Sequence, residues 1–348
     1  MSSIAKERPG IYSDYNTSGI FYTKNIGKSI AIVAQLNVEV STVYTVTKLS
    51  DAQVLFGIEG IIISLCKAAF DNGAYSIVII SAGSQEEGYE LAFRKLKEID
   101  NISVVICDST DSAIQQLLAE SVIDASQNKK ERIGILAAPE GKTNLNLWAS
   151  GFNSERIILT AQNPVDKDDD ILSGCILTAA MAAVISQNID PSQSFNGVSL
   201  EGITKLSQNL TEDNVDDYIT KGITPFEIIA GKAEIIRAVT SRKTTNENAD
   251  KTFKEVNTIL IIDKVIKSIR TMLESNTMHS MNNVTTRGAI SSQVTIKLQE
   301  FLDTGIIDSY AVPNVYQADY DDSVCIVELD FTVTQGVNQI HITVNINV

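Results

Sequence analysis

Histidine is almost missing from this chain of 348 residues, which has two, His279 and His341. Neither stands beside another His, a Cys or a carboxylate at ligand spacing, so the sequence offers no zinc centre and no histidine-based triad. Cysteine is scarce as well. The four, Cys66, Cys107, Cys175 and Cys325, lie far apart in apolar contexts without a CxxC pair. They read as small core residues of a reducing compartment. No apolar run approaches the roughly 18 residues that span a bilayer, and MSSIAKERPG lacks the apolar stretch of a secretory signal. The expectation is a cytoplasmic chain that is not secreted by a signal peptide and does not bind a membrane.

Positive charge is also in short supply. Lys and Arg number 28 against 43 Asp and Glu, a net charge of -15, and a nucleic-acid partner, which needs clustered cations, is not expected. After Lys297 no Lys or Arg occurs, while Glu300, Asp303, Asp308, Asp319, Asp321, Asp322, Glu328 and Asp330 do. The first 28 residues lean the other way, with Lys6, Arg8, Lys24 and Lys28 against Glu7 and Asp14. Ends of opposite sign can attract each other, within one molecule or between two.

What is present is alternation. SIAIVA (29–34), SIVIIS (76–81), ISVVIC (102–107), RIGILA (132–137) and RIILT (156–160) are short apolar strands. Helical stretches at 60–72, 84–99, 111–126 and 171–188 stand among them, the second opened by a Ser84/Glu87 capping box with Leu91, Leu96 and Ile99 as its apolar face. This predicts an α/β fold, a three-layer domain with a mostly parallel sheet covered on both faces. The turn-rich NIDPSQSFNG (188–197) is the expected boundary. Beyond it come a hairpin around Gly231-Lys232 and a long helix within 253–274. A second helix spans 288–302, with Ile290, Val294, Leu298 and Phe301 apolar and Gly305 as its stop, and a strand follows at 324–334. The division is therefore an arm at 1–20, an α/β domain at 21–193 and an α+β domain at 194–348.

The loops that would carry chemistry in such a fold are empty. Ser81-Ala82-Gly83-Ser84 lacks the glycines of a dinucleotide fingerprint. Gly141-Lys142-Thr143 resembles the end of a phosphate loop, but Leu136 stands where the first Gly belongs. The run Asp166, Asp168, Asp169, Asp170 has Ile171 and Leu177 where a calcium loop needs Gly and Glu. No cofactor or catalytic residue is predicted. A cytoplasmic α/β enzyme or ligand-binding protein with an unrecognised site stays open as the alternative.

The two ends look adhesive. From Gln339 to Val348, Ile340, Ile342, Val344, Ile346 and Val348 alternate with polar residues, a strand with one face for burial. It carries none of the Lys, Pro or bulge devices that protect an edge. At the other end Ile11, Tyr12 and Tyr15 are too apolar for an indifferent tail.

Taken in order, these features resemble the contractile tail sheath proteins of phages, defective prophages and R-type bacteriocins. Arg8-Pro9-Gly10-Ile11-Tyr12 is similar to that family's Pro-Gly-aliphatic-Tyr start. Lys221-Gly222-Ile223, then Gly231 and Ile235-Ile236-Arg237-Ala238-Val239-Thr240, is similar to its central block, with Ala238 in place of the usual Gly and Ser241 in place of the second Thr. Phe253-Lys254-Glu255-Val256 leading to Ile261-Ile262-Asp263 and Ile269-Arg270 resembles its strand-then-helix segment, and the Gly336 turn before the last strand fits its C-terminus. The resemblance implies a non-enzymatic helical homopolymer around a tail tube, in which the α+β domain lies inside and the α/β domain outside. It also implies baseplate and tail-terminator partners, assembly in the bacterial host cytoplasm and release as part of a particle. In that reading Ile11, Tyr12 and Tyr15, and Ile340 to Val348, are strands lent to neighbours. Cys325, Val327, Leu329, Phe331 and Val333 belong to the acceptor strand, Gly19 and Gly336 are hinges, and Arg287 and Lys297 on the 288–302 helix region are candidate tube contacts.

Overall fold

The structure, a computed structural model, describes residues 28–85, 87–139, 144–245, 248–249, 252–277 and 281–336. The arm residues Ile11, Tyr12, Tyr15 and Gly19, the strand expected at 339–348, both histidines and Gly141-Lys142-Thr143 lie outside them.

β1 (Ser29–Ala34) is an interior strand of a sheet whose side chains are buried on both faces. After it the chain adds β2 (Val43–Val46), α1 (Leu49–Phe56), α2 (Ile61–Asp71), β3 (Ile77–Ser81), α3 (Gly88–Leu96), β4 (Ile102–Cys107), α4 (Ser112–Gln127), β5 (Ile133–Ala137), α5 (Leu145–Ser150), β6 (Ile157–Thr160) and α6 (Cys175–Gln187). Then come β7 (Val198–Leu200), α7 (Glu212–Thr220), β8 (Ile223–Thr224), β9 (Phe226–Ile229) and β10 (Lys232–Ile235). The sheet order is β2-β3-β1-β4-β5-β6-β8, with β2 antiparallel at one edge and the other pairings parallel. Because side chains alternate across a strand, Ile30, Ile32, Ile77, Ile79, Val104 and Ile106 face α2 and α6 in one core. Ala31, Val33, Val78, Ile80 and Val105 face α3 and α4 in another.

Several boundaries differ from the sequence expectation. The Ser84/Glu87 box does not form: α3 starts at Gly88, and Glu87 caps it without a side-chain bond. A Cβ at residue 88 would stand 1.8 Å from the Ala82 carbonyl oxygen, so close backbone approach sets this helix start. Its buried face is Tyr89, Ala92, Phe93 and Leu96, and Leu91 is exposed. α6 begins at Cys175 because Ile171 instead bridges Val165 and closes the acidic loop. The hairpin β9–β10 turns through Ala230 and Gly231, both at positive φ, the primed geometry that matches strand twist.

The hydrophobic core crosses the 193/194 boundary expected from the turn-rich break. Leu200, Phe226, Ala233 and Ile235 of the β7-β10-β9 sheet pack into the first core, and β8 extends the main sheet. Turn residues mark a surface crossing of the chain there; they do not mark the end of a core.

Past the short β11 (Thr244–Thr245) and β12 (Asn248–Ala249), α8 (Val256–Thr277) and α9 (Val284–Asp303) lead to β13 (Ile307–Tyr310), β14 (Asn314–Ala318), β15 (Asp321–Glu328) and β16 (Phe331–Val333). Ile290, Val294, Leu298 and Phe301 of α9 are buried as their spacing predicts, against Ile261, Val265 and Ile269 of α8. Gly305, at φ 72, ends α9 in a Schellman turn, with Ile306 N–H donating to Phe301 O and Gly305 N–H to Leu302 O. α8 belongs to two cores: Val256 and Ile259 face the first, and Ile261, Val265 and Ile269 the third.

The cysteines give a direct check of this packing. Cys66, Cys107 and Cys175 are buried and Cys325 is half-buried. Burial pushes the Cys66 thiol up to about 12 and the Cys107 thiol well above its ordinary value. Since the thiolate is the reactive form, iodoacetamide at pH 8 should modify Cys325 in native protein, and all four cysteines only after denaturation. Mass spectrometry showing rapid native labelling of Cys66 would contradict the packing.

Candidate assembly surfaces

The strand expected at 324–334 is two strands. β15 pairs antiparallel with β14, setting Val327 opposite Val315 and Cys325 opposite Gln317. β16 pairs antiparallel with β13, setting Phe331 opposite Tyr310 and Val333 opposite Ile307. The break falls at Leu329-Asp330, where the Asp330 carbonyl accepts the Ala311 N–H and redirects the chain to its second partner. Cys325, Val327, Leu329, Phe331 and Val333 all pack half-buried on the third core. Within the described residues each of these sheets has two strands, so every strand keeps one edge without a ladder partner. On the outer side Glu328 accepts from Tyr316 Oη at 2.7 Å and Asn314 Nδ2 at 2.9 Å, bonds that hold its carboxyl below the usual range.

Arg287 and Lys297 are engaged within the chain. Arg287 Nη1 donates to Asn282 Oδ1 at 2.8 Å and to Gln317 Oε1 at 3.3 Å, tying the start of α9 to β14. Lys297 pairs with Glu300 and lies over the Phe301 ring at 5.4 Å. The exposed positions of α9 include Gly288, Ala289, Ser292 and Ile296. Gly336 sits where a Cβ would meet Ser194 at 3.3 Å, and the preceding Thr334 hydroxyl donates to the Gly305 carbonyl.

A second set of residues, given no role by the sequence reading, fastens α8 to the α/β sheet. Arg156 Nη1 and Nη2 donate to Asp263 Oδ2 and Oδ1, each at 2.8 Å, with side chains 14% and 16% exposed. Two helical turns on, Arg270 meets Glu131 at 2.7 Å. Burial raises the Glu131 carboxyl, but the hydrogen bond and charge of Arg270 outweigh it and hold it below its ordinary value. The only signal in the sequence is that Asp263 and Arg270 are seven residues apart, on one helix face. Their partners, 107 and 139 positions away, leave none.

Two of the places where a doubly wound sheet can carry ligands hold structural contacts among the described residues. At the switch between β1 and β4, Asp108 accepts from the Tyr89 hydroxyl and from the Gln35 N–H at 2.9 Å. Burial pushes its carboxyl above the ordinary range. Asp166 accepts the N–H groups of Asp168 and Asp170, and Asp169 pairs with Lys205. Among the described residues no group of three or more His, Cys, Asp or Glu could hold a metal ion, and no helix is long and apolar enough to cross a membrane.

The described residues thus form an α/β layer and an α+β module, joined by a helix that serves two cores and ending in paired strands with one edge each lacking a described ladder partner. The phage tail sheath protein central domain matches residues 82–241, and the phage tail sheath C-terminal domain matches residues 248–347. The chain belongs to the phage tail sheath protein family. No curated protein sequence matches it. In fold it is similar to the sheath tail protein of Desulfitobacterium hafniense, at 12% identity over 97% of this chain and 100% of that one, with a TM-score of 0.72. It is similar also to the anti-feeding prophage helical sheath in its contracted state, at 12% identity over 99% and 100% with a TM-score of 0.74. The contracted PVC sheath of an extracellular contractile injection system matches at 12% identity over 99% of each chain, with a TM-score of 0.71.

Proposed function

We propose that this chain is a contractile sheath subunit that polymerises as a helical mesh around a tail tube and shortens without nucleotide or cofactor. The family match across the central and C-terminal domains carries the reading. The half-open sheets β13–β16 and β14–β15 support it, since an unpaired ladder edge accepts a strand from another chain. In this reading Ile340, Ile342, Val344, Ile346 and Val348 lend one strand to a neighbour, and Ile11, Tyr12 and Tyr15 lend another. The acceptor edges belong to the segments carrying Cys325, Val327, Leu329, Phe331 and Val333. Gly19 and Gly336 are the points where the arms bend as subunits move. The partners are further copies of the chain, the tube, the baseplate and a terminator. Assembly takes place in the bacterial cytoplasm, before release in the particle. Contraction needs no catalysis: a small gain per subunit, summed over a lattice of interfaces with two discrete packings, supplies the work.

Arg287 and Lys297 are the candidate tube contacts, and the exposed Ser292 and Ile296 of the same helix extend that surface. Negative-stain microscopy of the expressed chain tests the whole proposal: hollow cylinders or curved sheets are expected, and a monodisperse monomer at high concentration would refute it. Ile342→Asp puts a charge on the buried face of the lent strand and should prevent these polymers. Normal cylinders from that variant would rule out the assigned strand register.

A further inference from the structure

A cavity of about 690 Å³ opens below the sheet, between the loops that enter β1, β4 and β5 and the first half of α8. Its wall is cationic in a chain that is otherwise acidic. Lys28, Lys129, Lys130, Arg132, Lys264 and Lys267 line it against Asp100, Glu131 and Asp263. Most of these charges are spent. Lys130 pairs with Asp100, Arg132 donates to the Leu96 and Ile99 carbonyls, Lys264 donates to the Ile189 carbonyl, and Asp263 holds Arg156. Lys28 and Lys267 have neither an ion pair nor a hydrogen bond with any described residue. Burial, and then the charges of Lys267 and Lys264, lower the Lys28 ammonium below its ordinary value, and the nearby Asp263 offsets them only in part, so this corner gains from a further anion. Beside the two ammonium groups, Tyr75 and Ile189 are 60% and 69% exposed, an apolar lip on a charged floor.

Charge selects the occupant. The segment that leads into Lys28 carries Lys6, Arg8 and Lys24, and would add cations to cations. Everything after Lys297 is acidic or neutral. In that region the β14–β15 hairpin projects a two-residue turn, Asp319-Tyr320, both exposed, with Tyr320 at 79%. Asp321 and Asp322 follow in sequence. The hairpin is anchored beyond the far end of α8, where Asn282 donates to the Val324 carbonyl and Arg287 to Gln317. From Lys264 to Thr277 the helix rises about 20 Å, so a chain cannot place its own turn in its own cavity. We propose that the Asp319-Tyr320 turn of a second copy docks in this cavity, with the Asp319 carboxylate between Lys28 and Lys267 and the Tyr320 ring against Tyr75 and Ile189. The contact rests on the sheath reading and is separate from strand exchange. It brings the acidic end of one subunit onto the basic floor of the next, and sets their spacing by a charged, apolar-rimmed fit.

Charge reversal tests this in the full-length chain. Lys28→Glu with Lys267→Glu, and separately Asp319→Lys, should each raise the concentration needed for assembly by about tenfold or more. The combination of all three should restore it, and Tyr320→Ala should weaken assembly. Circular dichroism and thermal unfolding check that each variant folds. Lys28→Gln with Lys267→Gln is the milder variant should the reversal fail to fold, and it should weaken assembly in the same direction. Assembly unchanged by the single reversals, or lost in them and not recovered in the combination, overturns this docking while leaving the sheath reading intact. A wild-type chain that never self-associates overturns both.

Discussion

Removal of residues 339–348 is expected to abolish polymer formation and leave the folded monomer nearly unchanged. The alternation of Ile340, Ile342, Val344, Ile346 and Val348 gives the segment five side chains for one buried face. Each contributes about 1.5–3 kcal/mol when covered, and the ladder adds about 0.5–1.5 kcal/mol per hydrogen bond. Association itself costs about 4–15 kcal/mol in lost translational and rotational freedom, so an interface without this strand falls below what a lattice needs. The folded domain has its own closure, because Ile261, Val265, Ile269, Ile290, Val294, Leu298 and Phe301 meet Phe331 and Val333 in the third core. Sedimentation of the truncated chain should show monomer at concentrations where the full chain pellets. Its melting temperature should move by no more than a few degrees, since about 1 kcal/mol corresponds to roughly 2–4 °C in a domain of this size. A drop several times larger would place the strand in its own subunit's core and remove it as a connector.

The second large effect is expected at the joint between the two modules. Arg156→Ala leaves Asp263 with its charge, 16% exposed and without its bidentate partner. Breaking a buried pair from one side costs about 3–5 kcal/mol, because the remaining charge is not compensated. Asp263→Asn strands the Arg156 guanidinium and should cost a similar amount. The double replacement Arg156→Met with Asp263→Leu removes both charges and should recover most of the loss, since a well-packed apolar pair is often neutral or better in such a place. Denaturant unfolding of the wild type, Arg156→Met, Asp263→Leu and their combination closes a double-mutant cycle. Additive losses would show that the two side chains do not act as a pair. If the joint also carries force, the single variants should assemble but give sheaths that break or contract prematurely, a result that microscopy can read separately from stability.

How much of this was readable beforehand varies by element, with physical reasons. The parallel strands were legible because a strand buried on both faces is a continuous apolar run, and β1, β3 and β4 stand out against polar flanks. The α9 core positions were legible because Ile290, Val294, Leu298 and Phe301 follow helical spacing and Gly305 supplies the left-handed stop. The start of α3 was misread because local capping chemistry at Ser84 and Glu87 lost to a tertiary fact, the contact of Gly88 with the Ala82 backbone. The strand at 324–334 was read as one because its alternation runs on through Leu329. That periodicity reports which face is buried; it does not report which neighbour the backbone bonds to. The turn-rich stretch 188–197 was a fair sign of a surface loop, but a loop does not reveal whether the chain returns to the same core.

The amino-acid order alone determined that this chain is acidic, poor in histidine and cysteine, and built on an alternating α/β plan. Those properties follow from composition and short periodicity, which act over a few residues. The tertiary structure alone decided that α8 serves two cores, that Arg156 and Glu131 meet Asp263 and Arg270 across more than a hundred positions, and that six cations converge on one cavity. Such pairings depend on how the elements cross in space, and a periodic pattern holds no record of that. In this protein the subunit's shape was written locally, and the joints that would bear load were not.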